Sequence, residues 1–89
     1  MEAHLERSNF FSASLEGANF QWAHIGDGRF AFARLHGANL QAAHIEGAHL
    51  GAANGLTQAQ INSAVGDWRT ELPAELTRPA HWDDPKLRP

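Results

Sequence analysis

From Leu5 to Leu50 a large apolar residue stands at every fifth position: Leu5, Phe10, Leu15, Phe20, Ile25, Phe30, Leu35, Leu40, Ile45 and Leu50. All ten are Leu, Ile or Phe. A helix repeats near 3.6 residues and a strand every 2, so neither accounts for a period of five. Two residues before each beat stands a small one: Ala3, Ser8, Ala13, Ala18, Ala23, Gly28, Ala33, Ala38, Ala43 and Ala48. A spacing of two is strand-like and points both side chains to one side. The next two residues are mostly polar or Gly, and then the pair faces inward again. The chain must therefore turn a corner within every unit. Several corners close a circuit, and circuits stacked as parallel strands lie about 4.8 Å apart. The spacing predicts a β-solenoid, a one-dimensional repeat whose units each bury their apolar side against the next.

Units such as "EGANF", "HGANL" and "EGAHL" resemble those of the pentapeptide repeat family, of the bacterial type, whose unit is roughly Ala-(Asp/Asn)-(Leu/Phe)-x-x. The match covers residues 3 to about 54. The departures are Ser8 and Gly28 at the small position, and His or Arg at several middle positions. The resemblance implies a right-handed, four-sided parallel β-helix with one unit per side and twenty residues per coil. On that pitch Leu5, Ile25 and Ile45 stack on one face, and Phe10, Phe30 and Leu50 on the next. Leu15 and Leu35 take the third, Phe20 and Leu40 the fourth. Ten units make about 2.5 coils.

After Asn54-Gly55 the beat stops. Thr57 with Gln60 three residues on is the pattern of a capping box, and Gly66 is a suitable helix stop. Ile61, Ala64 and Val65 give this helix an apolar stripe. The division expected is a repeat β-helix over 1–56, a capping α-helix over 57–66, and an irregular Pro-rich tail over 67–89. That tail holds all four prolines and is similar to the segment that often follows bacterial pentapeptide repeats; wrapping back along the side of the coil is its expected course, with the last few residues frayed. The first coil has no such lid. Its open end is expected to pair with a second copy, since two-fold dimers are the commonest soluble assembly.

His4, His24 and His44 recur at one unit position twenty residues apart, so they stack in an outward column. Neighbours about 4.8 Å apart could share zinc, nickel or copper. The simpler reading is a solvent-facing polar position, and no metal or other cofactor is expected. Ser8, Ser12, Ser14 and Ser63 sit in no nucleophile motif, and a convex repeat wall lacks the enclosed cleft of most small-molecule sites. An enzyme is not expected. Phe11, Trp22 and Phe32 lie outside the beat and point outward. Phe11 and Phe32, on adjacent coils, form a patch with Ala31 and Ala52 that the tail is expected to cover through Trp68 or Trp82; the alternative is a protein-binding face.

Charge narrows the classes further. Seven basic and ten acidic residues give a net charge of -3, which disfavours direct nucleic-acid binding. No apolar run is long enough to span a membrane, no secretory leader is legible, and there are no cysteines, so a cytoplasmic protein is expected. The function expected is a non-catalytic structural or protein-interaction module. Some members of the family mimic DNA and bind type II topoisomerases such as gyrase, which is the first alternative. A rod of about 12 Å is short for that role. Metal binding by the His column is the second alternative.

Overall fold

The computed structural model describes residues 3–82. The fraying expected near the C-terminus falls outside the described residues. Among them, regular elements are few: α1, Gln58–Ser63, and a single 3-10 turn, Ala80–Trp82. The remaining order is a ladder of single-residue parallel bridges, each joining a residue to one about twenty positions on.

Four bridge columns run along the molecule. They are His4–His24–His44–Val65, Asn9–Arg29–His49–Glu71, Ser14–Arg34–Asn54 and Asn19–Asn39. Each bridge consists of two bonds: the His24 amide donates to Ala3 at 2.7 Å and the Leu5 amide to His24 at 2.7 Å. A bridging residue thus commits its backbone along the axis, and the strand alternation turns its side chain outward. The small and large residues on either side of it turn inward.

Each corner is a β-turn in which the amide of the small residue donates to the carbonyl of the preceding beat residue, as from Ala33 to Phe30 at 3.0 Å. The second residue after the beat takes a left-handed φ at nine successive corners, from Arg7 through Gly47. A positive φ at that place is the demand of a type II turn, for which glycine is best suited. Six of the nine residues are not glycine, Trp22 and Phe32 among them. Their amides also continue the ladder, as Trp22 does to Gln41 at 3.2 Å.

The interior is filled by the repeat pairs. Ile25, Phe30, Leu35, Ile45 and Leu50 are buried with Ala23, Ala33, Ala43 and Ala48 between them. Gly28 has a steric reason: a Cβ there would stand 2.8 Å from the Phe30 ring and 2.9 Å from the Ile25 carbonyl. That ring stacks on Phe10 at 4.9 Å. Toward the N-terminal end burial declines, and Leu5, Phe10 and Leu15 are only partly covered.

The repeat ends by a slip of one residue. Gly55, at the beat position, has φ +84°, and a Cβ there would meet the His36 ring at 2.5 Å; Leu56 enters the interior instead. Thr57 and Gln60 form the reciprocal capping box of α1. Gln60 also anchors the helix, donating from Nε2 to the carbonyls of Leu35 and Ala38, both at 2.9 Å. The helix is shorter than the sequence pattern suggests. Ala64 is already extended, ahead of Gly66, and Val65 is 38 % exposed, bridging His44 instead of completing a helical stripe.

The chain beyond α1 does not run down the flank of the molecule. Val65 and Glu71 bridge to His44 and His49, so residues 64–71 climb the same two columns over the last circuit. Asp67 turns the corner between them. Its Oδ1 accepts from the amides of Gly47 and Arg69, both at 3.0 Å, and its Oδ2 from Arg69 Nε at 3.1 Å. Burial pushes the Asp67 carboxyl up, but the Arg69 guanidinium and these amides outweigh it and hold the group below its ordinary value. Thr70, fully buried, donates to the Ile45 carbonyl at 3.0 Å. Trp82 lies over Gly66, where a Cβ would meet its ring at 2.7 Å, and its Nε1 donates to Ala64.

Candidate interaction surface and histidine column

The outward side chains fall on fixed rows because their backbones are held in the ladder. In the first row the imidazoles of His4 and His24 stack at 4.8 Å with planes 13° apart, and those of His24 and His44 at 4.6 Å with planes 2° apart. The corner beside this row reads Glu6, Gly26, Glu46. Glu46 Oε2 lies 3.3 Å from His44 Nδ1, a hydrogen bond, whereas Glu6 Oε2 stands 3.7 Å from His4 Nδ1. Both carboxylates face their histidines. The Glu6 carboxyl lies below its ordinary value, chiefly through its backbone hydrogen bond, with the slight opposing effect of desolvation outweighed by that bond and by His4 and His24. His4 Nδ1 or Nε2, a Glu6 oxygen and a His24 nitrogen lie within 4.8 Å of one another. His44, the third member of the sequence-derived column, stacks on His24 but is not part of that group.

The next row carries mixed charge. Arg7, Asn9, Asp27, Arg29 and His49 line a shallow groove across the adjoining corner. His49 Nδ1 lies 3.1 Å from Glu71, and Asp27 lies 3.8 Å from Arg69. A second depression, lined by Ala38 to Gln41 and by Ala59, Gln60 and Ser63, lies along α1 and is open to solvent.

The aromatic residues outside the beat are exposed. Phe11 is 61 % and Phe32 56 % accessible, and their rings meet edge to face at 5.7 Å. The expectation that the tail covers this pair fails, because residues 64–82 gather over the C-terminal end, where Trp82 is buried on α1 and Gly66. Trp22 is also exposed, but stands at the corner diagonally opposite. The three residues are therefore two separate features.

The edge of the first circuit is the third feature. Among the described residues nothing pairs with the backbone amides of Asn9, Ser14 and Asn19. Sequence periodicity alone places Asn9, Ser14 and Asn19 at equivalent positions of their units. It could not reveal that Glu6 turns toward His4, since a turn side chain has no fixed direction in the repeat pattern.

A ladder with twenty-residue steps, small and large interior residues, and a turn every fifth residue define a solenoidal repeat protein. The family model described as pentapeptide repeats (8 copies) matches residues 2–27, so over that span the chain is similar to the pentapeptide repeat family. Pentapeptide repeats imply a right-handed quadrilateral β-helix, and the family suggests a non-catalytic repeat protein. No curated protein matches the chain. Among the described residues no helix is long and apolar enough to cross a membrane.

Proposed function

We propose that this chain is a small cytoplasmic scaffold that works through protein contact and carries no chemistry of its own. In this reading residues 1–56 form a right-handed four-sided β-helix of about 2.5 coils. Residues 57–66 supply the cap, the described part of the tail, residues 67–82, packs back on the solenoid, and the first coil joins a second copy of the chain. One observation carries the reading: the open edge of the first circuit, with Leu5, Phe10 and Leu15 half-covered beneath it. Unpaired strand edges over apolar side chains invite pairing. Each side presents one bridging residue with its amide and carbonyl along the axis. A two-fold rotation passing through the second and fourth sides sets Asn9 against Asn9 and Asn19 against Asn19 of the other copy, an antiparallel match that satisfies both groups.

Light scattering on a sizing column should then give twice the mass of 9.7 kDa at micromolar concentration. Ser14→Pro removes an edge amide that pairs with nothing among the described residues, so it should yield a monomer that remains folded. A monomeric unsubstituted protein would remove the homodimer. The topoisomerase-binding alternative gains less support, since Arg7, Arg29 and Arg34 interrupt the acidic residues along the rows.

A further inference from the structure

We propose that His4, Glu6 and His24 bind one divalent metal ion of the zinc, nickel or copper class. The proposal goes beyond the scaffold reading and is independent of it. It also replaces the three-histidine column as a ligand set, because the carboxylate at the corner joins two of the imidazoles.

The donor chemistry fits. Two imidazoles and one carboxylate are a common protein ligand set for zinc, leaving further positions to water. The three ligand atoms already lie within 4.8 Å of one another. Tetrahedral zinc with bonds near 2.1 Å needs its ligands about 3.4 Å apart. The remaining closure, about 1.4 Å, can be shared among three side chains on the surface. The His4 side chain is 69 % exposed and that of Glu6 48 %. A small rotation of the rings out of their stack would turn nitrogen lone pairs toward a shared point, at a modest rotamer cost.

Neighbouring geometry selects this pair of circuits over the next. Glu46 is committed to His44 at 3.3 Å, and Glu71 to His49 at 3.1 Å. Glu6, at 3.7 Å from His4 Nδ1, makes the loosest of these three contacts. The ladder fixes the backbones of residues 4 and 24, since His24 both donates to Ala3 and accepts from Leu5. That leaves only side-chain torsions to be ordered on binding, which favours affinity.

Zinc titration of the untagged chain by calorimetry, with melting followed in parallel, tests the site. The expected result is one ion per chain and a raised midpoint. His24→Ala should abolish both, and Glu6→Gln, an exposed and isosteric change, should weaken binding about tenfold or more. His49→Ala should leave binding intact. Affinity should fall from about pH 7.5 to about pH 5.5, because the imidazoles must be neutral to ligate. Magnesium should bind far more weakly, being poorly matched to nitrogen donors. The proposal is overturned by the absence of heat at about 1 mM zinc, by undiminished binding in both His24→Ala and Glu6→Gln, or by magnesium matching zinc. Circular dichroism of both variants shows whether the fold persists, and the masses of the same samples report separately on the dimer.

Discussion

At the residue scale, Asp67 is among the most heavily used polar side chains of the described residues. Its carboxylate closes a corner by accepting from two amides and a guanidinium, and its Oδ1 lies 3.2 Å from the buried Thr70 hydroxyl. Asp67→Ala should cost about 2 kcal/mol at neutral pH, read from urea unfolding. The pH dependence follows from its lowered folded-state value. Such a group contributes stability above its unfolded value, near pH 4, and loses it as pH falls through the folded one. The gap between the two proteins should therefore be full at pH 7 and shrink as the pH drops below about 4. A gap that stayed constant into strong acid would contradict the role given to Asp67. The left-handed corners are the other residue-scale feature. Non-glycine residues are disfavoured there, yet Arg7, Ser12, Trp22, Asp27, Phe32 and Ala42 all comply, held by a turn bond on one side and a ladder bond on the other.

At the scale of elements, α1 does an unexpected job: it occupies the side that a further repeat unit would have taken. The Ala42 amide bonds to Ser63 at 2.8 Å, and the chain then returns to the first two columns. The steps in those columns lengthen to 21 residues at His44–Val65 and 22 at His49–Glu71, where repeats would give twenty. Thr57→Ala removes the cap and loosens Gln60, which ties α1 to the coil beneath. A loss of about 1 kcal/mol is expected, with early exchange of the α1 amides by hydrogen–deuterium measurement. Unchanged protection of Ile61 and Ala64 would show that the cap matters little. The repeat was legible because one rule, small then large two residues later, recurs at unit after unit with burial enforcing it. The start of α1 was equally legible through Thr57 and Gln60. Its end was not, because Ala64 and Val65 suit a helix locally and leave it only to reach the ladder. Nor were the positions of Trp82 and Asp67 legible, since each depends on a surface completed by residues far away in the chain.

Considered as a whole, the molecule is unevenly packed along its axis. Ile45 is completely buried, with Thr70 bonded to its carbonyl, while Leu5 on the same face is partly open. Ile45→Ala should therefore cost about 3 kcal/mol and Leu5→Ala about 1 kcal/mol in dilute protein, measured by thermal or urea unfolding. If the first coil joins a second copy, the cost at Leu5 should rise with protein concentration while that at Ile45 should not. Equal costs at both positions would mean that the axis is packed uniformly. The candidate sites were less legible than this core. The histidine column could be written down from its twenty-residue spacing, whereas the engagement of Glu6 and Glu46 depended on torsions that no periodicity encodes.

The bridging residues hold the circuits together with backbone atoms alone, while their side chains stand outside. Architecture and surface chemistry are thus assigned to different atoms of the same residue. A chain built in this way can exchange an asparagine for an arginine or a histidine at any outward place without moving that place, like a pegboard whose holes stay fixed while the pegs are changed.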